Sequence, residues 1–129
     1  MLQEPVIRRS RILDGGWELW AKEKRPTESG TVRVEGVQFE PRFQSGRLEE
    51  IGSLKKSVQS GKVAVVDART ADEFSGKDVR GKRGGHIPGA RHLEWKELVA
   101  GDGRFKAPGQ LRDLFRRRGI EPDQTAVTC

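Results

Sequence analysis

The stretch Lys62-Val63-Ala64-Val65-Val66-Asp67 decides the fold. Four consecutive apolar residues between two charged ones read as a strand buried on both faces, and strands of that kind belong to parallel sheets. Working outward, Leu48, Ile51, Leu54 and Val58 recur at helical spacing with Lys55, Lys56 and Gln59 between them, and Gly61 can end that helix. On the other side Thr70 and Glu73 stand three apart, the pattern of a capping box, so a short helix is predicted to begin after Thr70. Two further helices are predicted, over 94–99 with Trp95, Leu98 and Val99 aligned, and over 108–118 with Leu111, Leu114 and Phe115 aligned and Gly119 as the C-terminal cap. Thr125-Ala126-Val127-Thr128 reads as a second buried strand and leads directly into Cys129. Helices alternating with apolar strands make an α/β fold.

The first thirty residues differ in character. Ile12 and Leu13 read as a short strand and Gly15-Gly16 as a turn. One or two helical turns follow, with Trp17 and Trp20 on one face, a spacing that favours packing over ligand binding. After Pro26 the run Thr27 to Gly36 is rich in Ser, Thr, Gly and Glu without apolar periodicity, as linkers are, and a boundary is placed there. The chain holds no internal repeat and no low-complexity tract.

Composition bounds the function classes. The 129 residues suit one compact core, and counting the 16 glycines with the 33% hydrophobic residues gives roughly 45%, the lower edge of the globular range. Lysine and arginine number 25 against 19 acids, a net charge of +6, which favours anionic partners or plain solubility. The single cysteine excludes an internal disulfide and any multi-cysteine metal cage, and His86 and His92 have no metal-ligand partners at useful spacing. No zinc site is expected. A reducing compartment fits, and neither a signal peptide nor a membrane-spanning run is visible, so a soluble cytoplasmic protein is expected. The aromatic residues sit at helical core spacing instead of alternating with basic ones, and this argues against nucleic acid as a partner.

If the runs ending at Asp67 and Cys129 are parallel neighbours, both ends lie on the rim where open α/β sheets bind ligands, and Arg69 and Cys129 come close together. A thiolate is the reactive form of cysteine, and a guanidinium favours it. The bland alternatives are a small buried hydrophobe for Cys129 and a surface ion pair for Arg69. Between Gly76 and Arg91 lies a basic, glycine-broken loop with Lys77, Arg80, Lys82 and Arg83, able to hold an anion but without the spacing of a P-loop; solvated surface is its alternative reading.

Three segments stand in order: Val65-Val66-Asp67-Ala68-Arg69 followed by Glu73-Phe74, then Gly85-His86-Ile87-Pro88-Gly89-Ala90, then Ala126-Val127-Thr128-Cys129. In order and spacing they resemble the rhodanese family, in particular the tandem-domain thiosulfate and 3-mercaptopyruvate sulfurtransferases. The opening Leu13-Asp14-Gly15-Gly16-Trp17 with Trp20 is similar to the last strand and helix of a preceding rhodanese-like domain. The resemblance implies residues 1–30 as the tail of that domain and 31–129 as a linker plus a second, catalytic domain. It implies a doubly wound parallel sheet with helices on both faces, incomplete at the C-terminus because the family continues past its cysteine with a loop, helices and a strand.

The implied chemistry is transfer of sulfane sulfur through a Cys129 persulfide with no cofactor required, with Arg69 holding the anionic donor, Arg80 or Arg83 assisting, and Asp67 and His86 structural. The partners implied are a small anionic sulfur donor, a thiophilic acceptor such as cyanide or a thiol, and the remainder of a tandem-domain protein. Ending at the cysteine predicts a fragment of poor activity, since the family's amide ring lies beyond it. A non-catalytic sulfur-relay or binding module, or a cysteine phosphatase or arsenate reductase on the same scaffold, would share much of this pattern.

Overall fold

The computed structural model describes residues 11–36, 38 and 44–129. In chain order the regular elements are α1 (Gly16–Lys22), α2 (Ile51–Gln59), β1 (Val63–Asp67), α3 (Ala71–Ser75), β2 (Arg91–His92), α4 (Pro108–Arg117) and β3 (Thr125–Thr128). The three strands form one parallel sheet in the order β2-β1-β3, with Val66 opposite Arg91 on one side and Val63 to Val66 opposite Thr125 to Thr128 on the other. The fold is α/β.

The apolar run chosen from the sequence is the central strand, and Ala64, Val65, Val66 and Asp67 are all buried. Successive side chains of a strand alternate between faces, so burial of this whole run means that both faces of β1 are covered. Val66 meets Leu93 and Ile120, with Leu98 and Phe115 packed against them. α2 packs along β1.

Helix ends follow local chemistry. Thr70 Oγ1 accepts the Glu73 N–H at 3.3 Å while Glu73 Oε2 accepts the Thr70 N–H at 3.1 Å, completing the predicted capping box. At the end of α4, Gly119 takes φ +71°, a left-handed conformation cheap only for glycine. The chain then reverses through Ile120 N–H donating to Phe115 O at 3.0 Å and Gly119 N–H to Arg116 O at 2.8 Å. This hydrogen-bond pair brings the side chain after the glycine back onto the helix, and Ile120 and Phe115 accordingly share the core.

Four expectations change. Ile12 and Leu13 form no strand: no partner lies beside them among the described residues, and they are 88% and 56% exposed. Leu48 precedes α2 in extended conformation, because the helix starts only after Glu50. The helix expected over 94–99 is a single 3-10 turn, Trp95–Leu98, ended where Val99 bridges Phe105 and the chain bends into a hairpin through Gly101 and Gly103. β3 is an edge strand among the described residues, with only Val127 half-buried, so its apolar pair marks a strand but not a covered one. Beyond these, β2 is a two-residue strand that carries no apolar run.

α1 is helical as expected, and its segment docks on that hairpin. Phe105 N–H donates to Asp14 Oδ1 at 2.8 Å, and Arg104 pairs with Glu23 at 2.8 Å. Trp20 Nε1 donates to Pro26 O at 3.0 Å, whereas Trp17 is 66% exposed. Among the described residues no helix is long and apolar enough to cross a membrane.

Candidate active site

Parallel pairing carries β1 and β3 to the same rim. Cys129 continues the ladder by one residue: its N–H donates to Val66 O at 3.1 Å and its carbonyl accepts the Ala68 N–H at 3.0 Å. The cysteine backbone therefore brackets Asp67, and its Sγ lies 4.0 Å from Val66 O. The residue is a free, exposed cysteine.

Asp67 is fully buried, and a buried carboxylate needs a paired cation and hydrogen bonds. Arg69 supplies both. Its Nε donates to Asp67 Oδ1 at 2.9 Å, its Nη2 to Oδ2 at 2.5 Å, and its backbone N–H to Oδ1 at 3.1 Å. Nη2 also donates to Gly85 O at 3.0 Å. Nε and both Nη2 hydrogens are thus engaged, while the two Nη1 hydrogens have no partner among the described residues. The Arg69 side chain is 38% exposed.

Charges at this rim are coupled. The hydrogen bonds from Arg69 hold the Asp67 carboxyl below its usual range against the opposing effect of burial. Asp67 in turn keeps Arg69 more firmly protonated. Burial pushes the Cys129 thiol up, the Asp67 charge pushes it further, and Arg69 opposes both. The net effect lifts the Cys129 thiol above its ordinary pKa.

Histidines brace the site instead of facing it. His92 Nε2 lies 2.8 Å from Arg69 O and His86 Nδ1 lies 2.8 Å from Phe74 O; since a carbonyl only accepts, each of these nitrogens carries the hydrogen. Phe74 stacks between the rings, with centroid separations of 3.7 Å to His86 and 4.7 Å to His92. Arg118 fixes the neighbouring rim through His92 O at 2.7 Å and a two-pronged bond to Glu97.

The arginines singled out from the sequence part company here. Arg69 and Cys129 come to one rim. Arg80 is occupied by acids, pairing with Glu73 and Asp78 at 3.2 Å each, and is 73% exposed. Arg83 is exposed and makes no ion pair with a described residue. Sequence reasoning missed His92 as a clamp on the Arg69 backbone and the Gly85 carbonyl as an Arg69 partner. The only signal for the latter was the density of glycines before the histidine. No group of three potential metal ligands exists among the described residues.

A family model described as a rhodanese-like domain matches residues 50–129. The chain is 36% identical over 134 residues to a thiosulfate sulfurtransferase of Corynebacterium glutamicum, covering 92% of this chain and 43% of that protein. It is 26% identical over 122 residues to human 3-mercaptopyruvate sulfurtransferase, covering 92% of this chain and 41% of the relative. Among solved structures, SseA from Escherichia coli, described as having the rhodanese fold of 3-mercaptopyruvate sulfotransferases, superposes with a TM-score of 0.78 at 27% identity over 89% of this chain and 43% of that one. The chain therefore spans less than half the length of these relatives.

Proposed function

The chain belongs to the rhodanese-like domain family, and from that membership we propose that it carries sulfane sulfur on Cys129, taking it from a small anionic donor and passing it to a thiophile. One observation supports this reading above the others: Cys129 lies where its backbone brackets Asp67, beside the guanidinium that Asp67 holds. The neighbouring strand end thus sets a cation beside a thiol that burial and the Asp67 charge together push up.

In the proposed reaction the Cys129 thiolate attacks the outer sulfur of thiosulfate. The sulfur–sulfur bond breaks, sulfite leaves with the bonding pair, and a cysteine persulfide remains. With 3-mercaptopyruvate the broken bond is carbon–sulfur, and pyruvate leaves after taking up a proton. Cyanide or a thiol then takes the outer sulfur and regenerates the thiolate, so that one difficult transfer is divided into two easier ones. The free Nη1 of Arg69 offers charge-assisted N–H donors that diverge from one nitrogen, each able to bond one oxygen of a sulfonate-type or carboxylate group. Arg83 adds positive charge at the loop, whereas Arg80 is already neutralised by Glu73 and Asp78 and contributes through the loop's shape.

The test is a mass measurement. The protein is incubated with thiosulfate, and separately with 3-mercaptopyruvate, beside a Cys129→Ser variant. A gain of one sulfur atom that cyanide removes and the variant lacks is the expected result, with the better donor naming the substrate. Absence of any gain from either donor would count against sulfur transfer by this chain.

A further inference from the structure

The loop from α3 to β2 closes at its base by backbone contact. A Cβ built on Gly84 would lie 2.8 Å from the Gly76 carbonyl oxygen and 2.9 Å from Val79 Cγ2, and one on Gly76 would lie 2.8 Å from the Gly85 nitrogen. Real Cβ atoms essentially never approach so closely. Gly84 does not have a positive φ, so its backbone would suit other residues and space alone requires glycine there. The next carbonyl along, Gly85 O, accepts the Arg69 Nη2 hydrogen that Asp67 does not take.

We infer that Gly84 is a positioning residue: by letting the loop close on Gly76 it holds the Gly85 carbonyl against Arg69 Nη2, and so turns the Nη1 edge toward the anionic donor. The identity of that anion rests on the sulfur-transfer reading; the latch itself does not. Asp67 bonds Nε and only one Nη2 hydrogen, so fixing the guanidinium requires the carbonyl as well, which takes the second Nη2 hydrogen and leaves only Nη1 for a ligand. The loop's glycines thereby act on recognition without touching the ligand.

A matched pair of variants tests this. Gly81 lies in the same loop, has no positive φ, and would place a methyl group with nothing within 4 Å of it, so Gly81→Ala adds the same atom without closing any gap. The full chain is labelled with nitrogen-15, and Arg69→Lys assigns the guanidinium signals. Wild type and Gly81→Ala are expected to show separate Nη1 and Nη2 resonances from hindered rotation, which merge in Gly84→Ala. The thiosulfate dissociation constant is expected to rise about tenfold in Gly84→Ala, the loss of roughly one charge-assisted hydrogen bond's orienting effect, and to stay at the wild-type value in Gly81→Ala. If Gly84→Ala does not fold, adding Val79→Ala removes the side-chain part of the clash and leaves only the carbonyl contact.

Identical behaviour of the two alanine variants overturns the proposal, as does merging of the resonances without weaker thiosulfate binding, or a wild-type chain that binds no thiosulfate. A wild-type chain that binds thiosulfate with separate Nη signals yet adds no sulfur to Cys129 overturns the sulfur-transfer reading and leaves the positioning role standing.

Discussion

At the rim of the sheet two charges act on one thiol with opposite sign. Asp67 raises the Cys129 pKa and Arg69 lowers it, with burial on the side of Asp67. Rates of alkylation by iodoacetamide followed against pH should therefore have a midpoint above the ordinary cysteine value. Arg69→Met should move it further up, and Asp67→Asn should move it down. Shifts in the same direction would contradict the opposed pair, because general loosening of the site cannot produce opposite signs. Asp67 also couples the fold to acid. Its folded pKa lies below the unfolded one, so its stabilisation is complete above the unfolded value of about 4 and is lost as pH falls through the folded value. Thermal melts from pH 6 downward should show Tm falling below about pH 4, less steeply in Asp67→Asn. The meeting of Arg69 and Cys129 was legible in the sequence because parallel strands end on one rim. The loss of three Arg69 hydrogens to Asp67 and Gly85 was not, since Gly85 comes from sixteen residues away and depends on how a loop closes.

Among the described residues the α-helices are short, from five residues in α3 to ten in α4, and helices of that length depend on their ends and their packing. Thr70→Ala removes the acceptor for the Glu73 N–H and should cost about 1 kcal/mol by chemical denaturation. Gly119→Ala forces a left-handed residue and disturbs the turn that brings Ile120 into the core, so it should cost about 1 kcal/mol or more. If Gly119→Ala were neutral, the glycine would not be what turns α4 back onto the sheet. The elements whose cues are local were legible: β1 from its apolar run, α3 from Thr70 and Glu73, α4 from its start at Pro108 and stop at Gly119. Those that depend on neighbours were not. β2 is a strand only because Arg91 and His92 fall opposite Val66 and Asp67, and the turn at Trp95 stays 3-10 because Val99 pairs with Phe105.

At the scale of the molecule, the buried set among the described residues is small. Among the described residues the buried apolar side chains are Leu19, Ala64, Val65, Val66, Leu93 and Ile120, and only Leu93 is fully enclosed among them. Native stability is a small difference between large terms, of order 5–15 kcal/mol, so one enclosed side chain can account for much of it. Leu93 also links core to site, since its N–H donates to Asp67 O at 3.0 Å and its side chain packs on Val66 and Ile120. Leu93→Ala should therefore cost about 2–5 kcal/mol by urea denaturation, through lost burial and the cavity left behind. Ile51, equally apolar but 88% exposed at the start of α2, should change stability by no more than about 0.5 kcal/mol when replaced by alanine. The urea midpoint should fall for Leu93→Ala with an unchanged slope, since the slope follows the surface exposed on unfolding. A lower slope would mean that the site rim around Asp67 opens separately from the sheet, and Cys129 alkylation in the same variant would then speed up before the global transition.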